Sequence, residues 1–282
     1  LQFLLSEITE MKNEFFRQRI LKSDDINPNG TKFTFSDIIG SSNVMKKLIQ
    51  EAQSVAWIDN NILLVGDTGT GKEVFAQSIH NYGNRNSEPY IGVNCASIPE
   101  NLLESTLFGT IRGAYTGALD SPGLIEQAGS GTLFLDEIHN MPVNMQAKLL
   151  RVLQERIVRR IGGSQNYPVK CRIISAINED PFQLIENGQL RQDLYYRLAG
   201  YCLYIPPLIE RENDIFELSE YFIKKNNLIM GKNVIYMTDR LKEIMKNYSW
   251  PGNVRELEHF IASIMIRTNV NDKYLRAKNA PK

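Results

Sequence analysis

Residues 61–66 form a short apolar run, Asn-Ile-Leu-Leu-Val-Gly. Asp-Thr-Gly-Thr-Gly-Lys follows directly, and apolar residues then return at helical spacing through residue 82. A buried strand that runs into a tight glycine turn and straight into a helix has few homes other than a parallel sheet covered by helices. Four further runs, at 89–95, 132–137, 172–178 and 201–206, are equally short, rich in β-branched and aromatic residues, and bounded by turn formers. They read as buried strands. Helical patterns over 45–57, 72–82 and 144–156 separate them. The fold class is therefore α/β, with a parallel sheet flanked by helices. After Pro206 the strand signal stops, and residues 212–228, 239–248 and 254–268 are amphipathic helices of a small helical domain. Asn253, three residues before Glu256, resembles a capping pair for the last of them. Residues 1–32 read as a short apolar-striped helix (Leu4, Leu5, Ile8, Met11, Phe15) and a linker rich in Asp, Asn, Pro and Gly. The expected division is 1–32, 33–206 and 207–282.

The glycine turn carries specific chemistry. In Gly66-Asp67-Thr68-Gly69-Thr70-Gly71-Lys72, backbone N–H groups can turn inward around phosphate oxygens, and the helix that follows adds positive potential. Lys72 would reach the β- and γ-phosphates. Glu73 stands where such loops usually place a Ser or Thr that touches Mg2+, so Thr70, water or other carboxylates must serve the metal. The run 131–137 ends in Asp136 and Glu137, at the strand end where open α/β sheets place ligands. Asp136 would hold Mg2+, directly or through water, and Glu137 would orient or deprotonate an attacking water. A metabolite kinase has no use for that glutamate; a nucleotide hydrolase does.

Five motifs occur in order: GDTGTGKE (66–73), GAYTGA (113–118), GTLFLDE (131–137), LRQDLYYRL (190–198) and WPGNVREL (250–257). Together they resemble the central AAA+ P-loop NTPase domain of bacterial enhancer-binding proteins, the ATP-driven activators of sigma-54 RNA polymerase. The stretch LFGTIRGAYTGALDSPGL (107–124) is most similar to activators of arginine catabolism. The resemblance implies ATP and Mg2+ as cofactors, a C-terminal helical lid, and self-association into a ring, usually a hexamer, with ATP at subunit interfaces. It implies that Asn94 is the switch holding Glu137 inactive, that Asn178 senses the γ-phosphate, and that Arg191 and Arg197 enter the neighbour's site. Arg255 is then the lid's sensor, and residues 38–40, with Ile39, lie near adenine. Gly113, Ala114, Tyr115, Thr116, Gly117 and Ala118 would contact sigma-54. On the residues alone, Arg191 and Arg197 serve equally as surface ion pairs, and Arg255 as a partner of Glu258.

Tyr115 stands where the family usually has Phe, and His139 where it usually has Gly. His139 and Glu73 favour a second reading, an interaction module that binds ATP without hydrolysing it. Lys+Arg and Asp+Glu number 32 each, which argues against a strongly basic nucleic-acid domain. DNA would be bound only through a domain outside this chain. Three cysteines (95, 171, 202) and three histidines (80, 139, 259) form no metal pattern, and a cytoplasmic protein is expected. No apolar run is long enough to span a membrane, no signal peptide opens the chain, and the first residue, Leu1, suggests a fragment.

Overall fold

The computed structural model describes residues 26–280. The apolar-striped segment 1–20 lies outside the described residues. Five parallel strands make one sheet: β1 (Ile62–Val65), β2 (Tyr90–Asn94), β3 (Thr132–Asp136), β4 (Arg172–Ile177) and β5 (Tyr201–Tyr204). Their spatial order is β2-β3-β4-β1-β5. The central strands β1 and β4 are buried along their whole length, so both faces must be covered; β1 is wholly aliphatic, and β4 adds only Arg172 and Ser175 to its apolar residues. One face packs against α1 (Asn43–Ala56) and α2 (Lys72–Tyr82) through Met45, Ala52, Phe75 and Ile79. The other packs against α3 (Glu100–Phe108), α4 (Leu124–Gln127), α5 (Val143–Glu155), α6 (Pro181–Glu186) and α7 (Gln192–Leu198). α1 starts where the Ser42 side chain accepts the Met45 N–H, and α6 starts with Asp180 as its cap and Pro181 in its first turn.

The lid consists of α8 (Asp214–Met230), α9 (Asp239–Asn247) and α10 (Asn253–Ile266) around Phe222, Leu241, Trp250 and Ile261. Strand structure does not end at Pro206, because Tyr236–Met237 and Tyr274–Leu275 form a parallel ladder in the lid. Two more short ladders, Gly109–Thr110 with Ser121–Pro122 and Ile157–Val158 with Tyr167–Pro168, flank the sheet. Two-residue strands carry no periodicity, so the sequence could not announce them.

Residues 27–32, expected as linker, pack on the core. Asn29 donates to Asn81 Oδ1 and its carbonyl accepts the Tyr90 N–H, Thr31 is fully buried, and the Lys32 N–H donates to Gln77 Oε1. Among the described residues, no helix is long and apolar enough to cross a membrane.

Arg172 closes the bottom of the sheet. It is 4% exposed and donates to the carbonyls of Asn60, Ala56 and Val55 at 2.9, 3.0 and 2.7 Å, which satisfies the open end of α1. Burial pulls its guanidinium down to about 10, against the attraction of Asp59. Arg172→Met should destabilise the fold by about 2–4 kcal/mol, because three carbonyls lose a charged donor. Thermal unfolding followed by circular dichroism checks this, and Arg172→Lys should recover part of the loss.

Candidate nucleotide site

β1 stops at Val65, and the glycine turn carries the chain into α2. Gly69 (φ +79°) and Gly71 (φ +104°) take left-handed conformations that L side chains rarely adopt. Gly69 also has no room for a Cβ, which would lie 2.3 Å from the Gly252 carbonyl of the lid. Lys72, the first residue of α2, is buried, and its Nζ donates to the carbonyls of Gly66 (2.6 Å) and Asp67 (3.0 Å). An ammonium has three protons, so one is left for the cavity in front of it. That cavity, about 340 Å³, is lined by Gly69, Lys72, Glu73, Asp136, Glu137 and Arg255 among others.

Sheet register sets the carboxylates. Asn94 pairs with Asp136 across β2 and β3, and its Nδ2 donates to Asp136 Oδ2 at 3.5 Å. The other Asp136 oxygen accepts the Glu137 N–H at 3.0 Å. Burial pushes the Asp136 carboxyl up from its usual value, opposed first by the Lys72 ammonium. Burial likewise lowers Lys72, opposed by Asp136, Glu137 and Asp67. Glu137 sits at φ +51°, a left-handed conformation rare for a residue with a side chain. Its Oε2 accepts from Asn140 Nδ2 at 3.3 Å. Asn94 thus reaches Asp136, and Asn140, which the sequence did not single out, holds Glu137. Asn178, at the end of β4, donates to Thr68 Oγ1 at 3.2 Å, and its Oδ1 is buried without a partner among the described residues.

Thr70 lines the smaller neighbouring recess rather than this cavity. Its hydroxyl is buried and donates to the Asp67 carbonyl at 2.8 Å. Glu73 reaches the cavity and accepts from Gln77 Nε2 at 3.1 Å. Among the described residues no three acidic, His or Cys side chains converge as a metal cage. A magnesium ion needs no such cage, since it keeps waters and binds through one or two carboxylates plus phosphates. Asp136 and Glu137 fit that need. The free Lys72 proton and the left-handed glycines fit a phosphate chain, and the unpartnered Asn178 oxygen can accept from a water beside it.

A smaller apolar recess adjoins the loop, lined by Ile38, Ile39, Val74, Phe75, Leu218 and Val254 among others. Ile38 packs into the sheet core and Ile39 into the lid core, so the recess lies between the two. Its lining is mostly apolar. Arg255 faces the phosphate-side cavity, and Glu258 pairs with Lys225 at 2.9 Å rather than with Arg255. Asn253 does not cap α10 as expected. Gly252 occupies that position, its N–H donates to Glu256 Oε2, and Asn253 is turned elsewhere at φ +51°.

Arg191 and Arg197 do not line this cavity. Arg191 is half-buried and pairs with Asp193 at 2.7 Å; Arg197 is exposed and donates to the Leu153 carbonyl. His139 is buried and meets Asn140 Nδ2 at 3.3 Å, so it makes a local contact rather than filling the cavity. His80 is structural, sharing a hydrogen bond with the Thr132 hydroxyl and another with the Glu88 carbonyl, and burial draws it down to about 4.

Residues 113–118 form a turn at the end of the Gly109–Thr110 and Ser121–Pro122 ladder. Ala118 is buried and its N–H donates to the Tyr115 carbonyl, so it anchors the turn rather than offering a contact. Gly113, Tyr115, Thr116 and Gly117 are exposed, as is Leu119, which was not anticipated. Ala114 packs against Gly162, where a Cβ would come within 2.9 Å of it.

Residues 38–204 match the family model described as Sigma-54 interaction domain. The chain belongs to this family. Residues 209–281 match the AAA+ ATPase lid domain. The fold is therefore that of an AAA+ P-loop NTPase, as the motifs implied. The transcriptional activator RocR of Bacillus subtilis is 48% identical over 88% of this chain and 54% of its own length. The DNA-binding transcriptional activator HyfR of Escherichia coli is 46% identical over 83% of this chain and 35% of its own. The chain thus spans about half or less of the length of these relatives. Crystal structures of NtrX from Brucella abortus match with TM-scores of 0.82 (complex with ADP, 30% identity, 98% of this chain and 60% of that one) and 0.79 (complex with ATP, 33%, 87% and 54%).

Proposed function

We propose that this sigma-54 interaction domain binds ATP with Mg2+, hydrolyses it, and uses the cycle to remodel the sigma-54 RNA polymerase closed complex through residues 113–118. The observation that carries the ATPase reading is the convergence of Lys72, Asp136, Glu137 and Arg255 on one cavity between core and lid. Lys72 and the loop N–H groups hold the phosphates, the recess by Ile39 takes adenine, and Arg255 reports the phosphates to the lid. Asp136 would hold Mg2+, which would supply charge neutralisation at the phosphates. Glu137 takes a proton from the attacking water, and Asn178 orients that water or the γ-phosphate. Asn94 acts on this centre through Asp136, so any switch it provides is relayed rather than made by direct contact with Glu137. Hydrolysis releases the ordered arrangement and lowers the turn. An exposed aromatic flanked by glycines suits a mobile contact surface; Tyr115 and Thr116 are the groups presented, with Leu119 beside them. The partner class follows from the family.

Arg191 and Arg197 lie outside their own cavity, which suits insertion into a neighbour's site in a ring of six, the number the family resemblance implies. Mixing tests this. Arg191→Ala and Lys72→Ala proteins should each be inactive alone and regain activity together. In a random ring about one interface in four joins an intact phosphate loop to an intact finger. Phosphate release near a quarter of the parental rate is expected from an equal mixture. No recovery in mixtures shown to co-assemble would place Arg191 outside the shared site.

A further inference from the structure

Three consecutive carbonyls of the phosphate loop are taken by the lid. Asn253 Nδ2 donates to the Thr68 carbonyl at 3.0 Å, the Val254 N–H to the Gly69 carbonyl at 3.0 Å, and Arg211 Nη2 to the Thr70 carbonyl at 2.8 Å. Asn253 is 1% exposed and Arg211 2%. Each also binds the hinge between core and lid: Asn253 Oδ1 accepts the Leu208 N–H at 2.7 Å, and Arg211 donates to the Pro206 carbonyl. Independently, Gly69 and Gly252 touch backbone to backbone, leaving no space for a side chain on Gly69.

The consequence concerns the direction of the peptide planes. A loop that grips phosphates must turn its N–H groups inward, and each carbonyl then points away. Outward carbonyls buried under a lid need donors, or the loop pays their desolvation. We propose that Asn253 and Arg211 are positioning residues that hold the phosphate loop in its anion-binding form by capping its outward carbonyls, so that lid docking and phosphate affinity are coupled. Lid docking and nucleotide binding then strengthen one another by the same factor, as linkage requires. The left-handed backbone of Asn253 is the cost of aiming its amide at Thr68, and Asn bears that conformation better than most residues. This rests on the nucleotide reading of the site.

Asn253→Asp is the informative variant. It keeps the shape, tolerates the same backbone angle and still accepts the Leu208 N–H, but it faces the Thr68 carbonyl with a carboxylate oxygen in place of a donor. The KM for ATP and the Kd for ADP should rise about tenfold, equivalent to on the order of 1.4 kcal/mol, with kcat within about twofold. Asn253→Gly, which keeps the angle and deletes the amide, should do the same. Arg211→Lys, able to reach one carbonyl instead of two, should give a smaller rise. In hydrogen exchange, amides of residues 67–71 should exchange faster in the folded Asp variant than in the parent, with and without ADP. Parental KM, Kd and exchange in a folded Asn253→Asp protein would overturn the proposal. If Asn253→Asp does not fold, Asn253→Gly decides by the same readouts, and failure of both to fold would make Asn253 a folding residue and overturn the positioning role. Failure of the underlying site reading looks different: the parent itself would not bind ADP, or Lys72→Ala would bind as well as the parent.

Discussion

Glu137→Gln should bind ATP as tightly as the parent and turn it over about 10²–10⁴-fold more slowly. An amide has nearly the size of the carboxylate and can still meet the Asn140 side chain, but it cannot accept the water's proton. The fall should appear in kcat and leave KM nearly unchanged, because Glu137 acts on the water and not on the phosphates. Lys72→Ala should fail differently. It removes the fixed cation at the phosphates, whose ammonium also closes the loop onto the Gly66 and Asp67 carbonyls. Binding should weaken by roughly 100-fold or more, as expected for loss of a charge-assisted contact together with its loop. Phosphate release and nucleotide binding measured on both variants separate the two roles. A Gln variant that hydrolyses at the parental rate would remove Glu137 from the mechanism and would favour a site that only binds.

Tyr115→Ala should separate binding of the polymerase factor from hydrolysis. Tyr115 is 51% exposed at the tip of a turn whose base is held by Ala118 and by the packing of Ala114 on Gly162, so the ring supports neither the turn nor the nucleotide cavity. Removing it costs contact area worth about 1–3 kcal/mol at a protein interface. Affinity for sigma-54 should fall roughly 5- to 150-fold while ATPase activity stays near the parental rate. Tyr115→Phe should keep binding, since it loses only the hydroxyl. Thr116→Ala should weaken binding if its exposed hydroxyl bonds the partner. Leu119, exposed beside the turn, is a further contact candidate, and Leu119→Ala should lower affinity without touching hydrolysis. ATPase collapse in Tyr115→Ala would mark the residue as structural.

Much of this architecture was legible in the sequence because the buried parallel strands are short runs dominated by apolar residues. β1 is one residue shorter than expected at each end, β4 is one residue shorter at its C-terminal end only, and α2 matches its expected span. The phosphate loop and the acidic pair were readable for the same reason: both sit at strand ends, where local sequence and ligand position coincide. What escaped depends on contacts between distant segments. Asn253 has the composition of a cap, yet its amide is drawn to Thr68 and Leu208, residues 185 and 45 positions away. Asn140 follows a pattern with no signature, and its role appears only when Glu137 adopts a left-handed turn. Sheet register puts Asn94 beside Asp136, a pairing that no local pattern announces. Residues 27–32 look like linker by composition, and only the polar side chains of Asn81 and Gln77 across from them make them part of the core.

The central claim is that nucleotide state governs engagement of sigma-54 by this chain. A native gel shift of the parent protein with sigma-54 tests it most directly, run with ADP alone and with ADP plus aluminium fluoride, which mimics the transferring phosphoryl group. A shifted complex should form only with the mimic, and Lys72→Ala should form none. A complex of equal strength with ADP alone, or no complex under either condition in protein shown to hydrolyse ATP, would contradict the account.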